Sequence, residues 1–274
     1  MAGSNVEKST FADGTDRLAR HWKSSAPVAT VLIVHGVGEH SGRYEHVGEY
    51  FAAQGLDSYS YDHRSHGGSG GTRGEVEWRE FITDLKGEVG TARDKGLPVV
   101  LWGHSLGALI ALDYVLNGPG FQPDLLIVSA PALAESLKAW QKTAIKAVAK
   151  VLPRVRLPVP VPVAELSSDP EVGRAYLADP LIQRKGSVGS FAEYFAAQAR
   201  ANATLGRLAI PTLVVHGGSD IIVPTACTEP LGDLPGVDRI VYEGMRHELH
   251  NEPEGTRVLT DAVAWVKDQL DQLG

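Results

Sequence analysis

Residues 100–109 read VLWGHSLGAL, and from Gly103 to Gly107 a serine, Ser105, stands between two glycines. The apolar run PVVLWG (98–103) has the length and residue types of a buried strand, and LGALIALDYVL behind the serine reads as a helix packed under a sheet. A sharp strand-to-helix turn leaves little room for side chains, and glycine on each side of the serine suits that crowding. The hydroxyl is then exposed at the C-terminal end of the strand. A serine that merely caps a helix would fit the same five residues, so the rest of the chain has to decide.

Around this point short β-branched runs alternate with longer segments of helical period, the pattern of a mostly parallel sheet with helices on both faces. Strands are expected at 28–35, 56–62, 98–103, 125–130, 212–217 and 238–243. Helices are expected at Arg43–Gln54, Glu75–Lys95, Ser105–Leu116 and Glu254–Leu273; the last carries Leu259, Ala262, Val263, Val266 and Leu270 on one face. FADGTDRLARHWK holds an Asp-Gly pair that suits a hairpin at an antiparallel edge of the sheet. Between about Ala134 and Leu208 no strong strand is expected, and helical pieces surround the proline-punctuated LPRVRLPVPVPV. This reads as a mainly helical cap (134–208) inserted between two parts of one core, 1–133 and 209–274.

With 274 residues, 43% hydrophobic, the chain is long enough for one core plus such an insertion. Its apolar runs fall far short of the roughly 20 residues needed to cross a bilayer. The first residues lack the basic start and apolar stretch of a secretory signal, and the single cysteine, Cys227, suits a reducing compartment, so a cytoplasmic location is expected. A net charge of −7 gives no basic footprint for nucleic acid. Without CxxC pairs, HExxH or a glycine-rich phosphate loop, neither a metal nor a nucleotide cofactor is implied. Oligomeric state is not legible.

An unassisted serine is a poor nucleophile; it needs a base, and the base needs an acid to orient it. Asp220 in VVHGGSDIIVP and His247 in EGMRHELHNEPE follow Ser105 in the chain order Ser, Asp, His, each just past its own expected strand. Singly, each has an ordinary reading: Asp220 as a turn residue, His247 as a loop histidine in water. His250 rivals His247 as the base, and His216 is a weaker rival because it belongs to a strand end. Three suitable types in the required order are much harder to obtain by accident. An oxyanion hole needs backbone N–H groups aimed at developing negative charge. Leu106 would supply one and Val37, flanked by Gly36 and Gly38 after an earlier strand, the other.

The segments HGVGEHSGRY (35–44), YDHRSHGGS (61–69), GHSLG (103–107), LSSDPEVGRAYLADPL (166–181), HGGSD (216–220) and RHELHNEPE (246–254) together resemble the monoacylglycerol lipases of the α/β-hydrolase superfamily, a group also labelled lysophospholipases. The resemblance spans almost the whole chain. It implies an α/β-hydrolase fold, Ser105 as nucleophile, Asp220 as acid, His247 rather than His250 as base, and the N–H groups of Val37 and Leu106 as oxyanion donors. It also implies that Glu39, Arg43 and His250 contact the glyceryl group, although Glu39 and Arg43 are spaced to form a simple ion pair. One departure is Ser65, where such sequences often carry glycine; a modest change in that turn is expected.

Lys138, Lys142, Lys146, Lys150, Arg154 and Arg156 contribute +6, so the remainder carries −13. The lysines recur every four residues as one stripe, with Trp140, Ala144, Val148, Val151 and Leu152 roughly opposite. An ordinary cap helix would turn that apolar side to the core and its lysines to water. Alternatively the segment makes peripheral contact with an anionic membrane, lysine stems along the surface and PVPVPV against acyl chains. The expectation is thus a serine hydrolase that cleaves a lipid ester, monoacylglycerol first, through an acyl-enzyme. A carboxylesterase, lysophospholipase or thioesterase with the same triad is the neighbouring reading, and a hydrolase-fold binding protein without turnover the more distant one.

Overall fold

The computed structural model describes residues 3–135, 137–159 and 161–273. Pro160, within the proline-punctuated stretch, lies outside them. The chain opens with a hairpin, β1 (Asn5–Thr10) and β2 (Asp16–Trp22), turning at Asp13 and Gly14, and continues through β3 (Ala29–Val34), α1 (Glu45–Ala53), β4 (Leu56–Tyr61) and α2 (Trp78–Arg93). Next come β5 (Val99–His104), α3 (Leu106–Asn117) and β6 (Leu125–Ser129). The chain then leaves the sheet for α4 (Ala139–Ala149), β7 (Arg156–Pro158), α5 (Pro170–Ala178), β8 (Lys185–Ser187) and α6 (Val188–Thr204). It returns as β9 (Thr212–Gly217), α7 (Glu229–Gly232), β10 (Val237–Tyr242) and α8 (Gly255–Leu273).

Eight strands form one sheet in the order β1-β2-β4-β3-β5-β6-β9-β10, antiparallel only at β1-β2 and β2-β4. The central strands β3, β5, β6 and β9 are buried along their whole length, which is why they read as continuous apolar runs rather than alternating ones. One core layer joins α2, α3 and α6 to one face, with Trp78, Leu85, Leu109, Leu112, Ala197 and Ala201 inside it. The other joins α1 and α8 to the opposite face through Val47, Phe51, Leu259, Val263 and Val266. This is the α/β-hydrolase architecture.

Two local findings depart from the sequence expectations. The small antiparallel pair β7-β8 lies in a region where no strong strand was expected. In α4 no residue is fully buried: Trp140 is 68% exposed and Val151, just past its end, 78%. The side toward α6 carries Gln141, Lys142, Ile145 and Ala149 instead, and Lys142 pairs with Glu135. An apolar side turned to the core is therefore not what forms. Among the described residues no helix is long and apolar enough to cross a membrane.

Ser65 takes φ of 66°, the left-handed region that favours glycine, and its hydroxyl donates to the Glu75 carbonyl at 3.0 Å. The turn thus keeps the glycine conformation and gains a side-chain bond.

At the sheet centre, the packing of α3 against β3 and β5 requires bare backbone. A Cβ on Gly107 would stand 2.1 Å from the Val34 carbonyl oxygen, and one on Gly103 would stand 2.5 Å from the Ala108 Cα. Neither neighbour is a flexible side chain that could yield. Gly107→Ala should therefore cost at least about 1–3 kcal/mol, the usual range for overpacking a core. Urea unfolding of variant and wild type would measure it, and equal midpoints would contradict this packing.

Candidate active site

Ser105 sits between the last residue of β5 and the first of α3 with φ 51° and ψ −114°. Its own N–H donates to the Ser129 carbonyl at 2.9 Å, which ties the turn to β6. Leu106 opens α3, so its N–H has no partner within the helix and is free to serve the space above the serine.

The two partners expected for the serine arrive from the neighbouring strand ends. His247 Nε2 lies 2.9 Å from Ser105 Oγ, and His247 Nδ1 lies 2.7 Å from Asp220 Oδ2. All three residues are buried, Ser105 at 7%, His247 at 4% and Asp220 at 6% exposure. Burial by itself would push the Asp220 carboxyl up, but the hydrogen bonds from His216 and His247 and the Val223 N–H hold it well below the usual carboxylate range. An ionised carboxylate only accepts, so His247 carries its proton on Nδ1 and turns an open Nε2 lone pair to the serine hydroxyl.

The rival histidines are placed elsewhere. His216 Nε2 lies 3.0 Å from the Val223 carbonyl and 3.2 Å from Asp220 Oδ2, so it donates there and steadies Asp220. His250 stacks on Tyr44 at 4.9 Å between ring centres and packs edge-on against His104, also at 4.9 Å. Burial pushes its pKa well below the ordinary value, and among the described residues neither ring nitrogen has a partner. Burial likewise lowers His104, to about 3, with His247 adding to the shift. Both rings are neutral packing behind His247.

The loop after β3 runs over the serine from the other side. The Gly36 N–H donates to Glu39 Oε1 at 2.5 Å, and the Gly38 carbonyl accepts from the Gln183 N–H at 2.7 Å. Gly38 has φ of 72°, and a Cβ there would come within 2.5 Å of the Gln183 carbonyl oxygen. Val37 is held between these anchors and lines the same cavity as Ser105 and Leu106.

Two cavities meet at Ser105. The larger, about 210 Å³, is an apolar channel walled by Val76, Trp78, Phe81, Phe191, Phe195 and Ile221 among others. The smaller, about 40 Å³, is polar on one side, where Glu39, Arg43, Tyr176 and Glu248 line it. Val37, Ser105, Val161 and Ile222 border both. A cleft of about 330 Å³ between the β1-β2 hairpin and α2 is roomier but holds none of these residues.

Glu39 and Arg43 do form the ion pair their spacing allows, at 2.6 Å, and both also face the small cavity. Tyr44 donates to Glu39 Oε1 at 2.7 Å. Arg43 in addition grips Glu248 with two hydrogen bonds of 2.6 and 2.7 Å and lies over the Tyr176 ring at 5.1 Å. His250, expected at the glyceryl end, lines neither cavity, because Tyr44 and His104 enclose its ring. Sequence reasoning missed Glu248 and Tyr176 on this wall, and His216, set aside there as a weak rival for the base, is bonded to Asp220. Glu248 is 205 residues from Arg43 and forms no spacing pattern with it. Its position beside His247 was the only available hint.

The sheet, its crossing helices and the segment inserted after β6 define the α/β-hydrolase class. The chain belongs to the serine aminopeptidase S33 family, whose model matches residues 25–254. It is 36% identical to a monoacylglycerol lipase of Mycolicibacterium smegmatis over 261 residues, 89% of this chain and 90% of that protein. It is 33% identical to the monoglyceride lipase of Homo sapiens over 275 residues, 96% and 90% of the two chains. Among solved structures, the monoacylglycerol lipase of Paleococcus ferrophilus matches with a TM-score of 0.83 at 27% identity, covering 92% of this chain and 97% of that one.

The lowered Asp220 pKa has a consequence for stability. A carboxyl depressed on folding contributes stability that is complete above its unfolded value of about 3.9 and is lost as pH falls toward the folded value. Asp220→Asn should thus be less stable than wild type at neutral pH, with the gap narrowing below about pH 4. Urea midpoints across pH 3–8 would measure it; a gap that widens in acid would contradict the assignment.

Proposed function

We propose that the chain cleaves the ester bond of monoacylglycerols by acyl transfer to Ser105, releasing glycerol and then fatty acid. The observation that carries this reading is the unbroken run of hydrogen bonds from Asp220 through His247 to Ser105, located where an apolar channel and a small polar cavity meet. The chain's similarity to two lipases named for monoacylglycerol supports the substrate.

His247 takes the hydroxyl proton as Ser105 Oγ attacks the ester carbonyl. The oxygen turns anionic within reach of the Val37 and Leu106 N–H groups, fixed donors that need no reorganisation at that moment. The intermediate collapses, His247 returns the proton to the departing glycerol oxygen, and the acyl group stays on Ser105. Water activated by the same imidazole then releases the fatty acid. Asp220 keeps the imidazole in the Nδ1–H form and balances its charge. The acyl chain lies in the apolar channel and the alcohol in the small cavity beside Glu39 and Arg43.

Residues 134–208 serve as the cap over this pocket, and α4 is its membrane contact. Trp140, Val148, Val151 and Leu152 are exposed beside Lys138, Lys146, Lys150 and Arg154, a surface on which apolar side chains enter the acyl boundary while cations meet anionic headgroups. Leu137, just before α4, and Val159, shortly after it, both line the channel. A docked α4 therefore brings the channel mouth to the lipid.

Ser105→Ala should abolish monoacylglycerol hydrolysis and fluorophosphonate labelling together; retained turnover in that variant would end the proposal. In vesicle flotation at low salt, recovery should be higher with anionic than with neutral lipid and should fall when Trp140 and Val151 are replaced by serine. Equal recovery with both lipids would remove the electrostatic part of the docking.

A further inference from the structure

Glu248 is 2% exposed, accepts both hydrogen bonds of the Arg43 fork, and is fixed from behind by Asn251 Nδ2 at 2.7 Å and by its own N–H to the Leu166 carbonyl at 2.7 Å. Burial would push its carboxyl up, but Arg43 keeps it below the ordinary range. Arg43 is simultaneously bound to Glu39. One cation is thus shared between two carboxylates at the wall of the small cavity. Of the other titratable groups there, burial keeps His104 neutral, with a pKa near 3, and Tyr176 neutral, pushed up to about 12, while His247 is hydrogen-bonded to the Asp220 carboxylate, which adds negative charge rather than removing it.

We propose that Glu248 is a specificity-determining residue, and that the excess negative charge it gives the alcohol cavity makes the chain select neutral alcohols and reject acyl esters whose head group carries phosphate. The proposal rests on the reading of this cavity as the site of the leaving alcohol. Without Glu248, Arg43 and Glu39 would cancel. With it, the guanidinium is already saturated with carboxylate and has no unbalanced charge to offer an anion. A unit charge at about 7 Å, in a site of effective dielectric about 20, changes an anion's binding by some tens-fold. The same residue is tied to the oxyanion loop, because Arg43 binds the Glu39 that accepts from the Gly36 N–H. Its removal is therefore expected to slow turnover of every ester, and the diagnostic quantity is a ratio between substrates.

The test compares kcat/KM for 1-acylglycerol with that for the 1-acylglycerophosphoglycerol of the same chain length, in wild type and Glu248→Gln. The wild type should prefer the neutral ester, and Glu248→Gln should shift the ratio toward the phosphodiester by about tenfold or more. An unchanged ratio would overturn the proposal, since a preference based on head-group size would survive the substitution. Should the variant not fold, wild type decides the matter through competitive inhibition by an unreactive 1-alkylglycerol ether and by its 3-phosphate. Inhibition at least about tenfold weaker by the phosphate is expected, and equal or tighter inhibition would refute the role of charge. Turnover of 1-acylglycerol by wild type is read in the same series. Its absence would refute the substrate reading itself, whereas normal turnover with an unaltered ratio would refute only the assignment of Glu248.

Discussion

The backbone of Ser105 is the constraint from which the remaining geometry follows. A serine at φ 51° is strained, and it persists because the surroundings over-determine it. Its N–H is bound to β6, α3 starts at the next residue, and the glycines on either side let α3 lie against the carbonyls of Val34 and His35. β5 is also central in the sheet, with β3 on one side and β6, β9 and β10 on the other. The loop carrying Val37 therefore comes from one side of the serine. The loops carrying Asp220 and His247 come from the opposite side.

Dryness makes this arrangement effective. Asp220 is buried, and its charge is supported by two histidine donors and two backbone N–H groups from Ile222 and Val223 rather than by water. A carboxylate so supported fixes the tautomer of His247 with no solvent competition. The neutral rings of His104 and His250 fill the space behind His247 without adding charge. The polar side of the pocket is built differently. There three charged groups, Glu39, Arg43 and Glu248, are coupled to one another through one guanidinium.

The sheet and the three residues around Ser105 were legible because they rest on local rules. Buried parallel strands must be apolar throughout, and a nucleophile turn needs glycines at fixed offsets. Asp220 and His247 were legible by order along the chain, since each follows its own strand. What stayed hidden depends on distant contacts. Glu248 acquires its place only through Arg43, and nothing in RHELHNEPE distinguishes a buried glutamate from an exposed one. His250 was misplaced for the complementary reason: proximity in sequence to His247 does not say that a 3-10 turn at Leu249–Asn251 swings the next histidine behind Tyr44. For α4, periodicity identified an amphipathic helix but could not say which face packs. Tertiary contact with α6 chose a face between the lysine stripe and the apolar stripe.

That choice bears on the proposed docking to a lipid surface. Had α4 packed its apolar side inward, the cap would present lysines alone, and attraction to an anionic surface would fade within a Debye length of about 10 Å at moderate salt. With Trp140, Val148, Val151 and Leu152 exposed instead, the helix and the residues just past its end would carry a long-range and a short-range attraction on one surface. The rest of the chain, at −13, is repelled by the same headgroups. Under the proposed docking, opposite signs on residues 138–156 and on the rest of the chain would orient the molecule before contact, so that the face carrying α4 would meet the lipid first. A lipid ester would then move from bilayer to channel without its acyl chain crossing water, a step that otherwise costs about 0.8 kcal/mol for every methylene exposed.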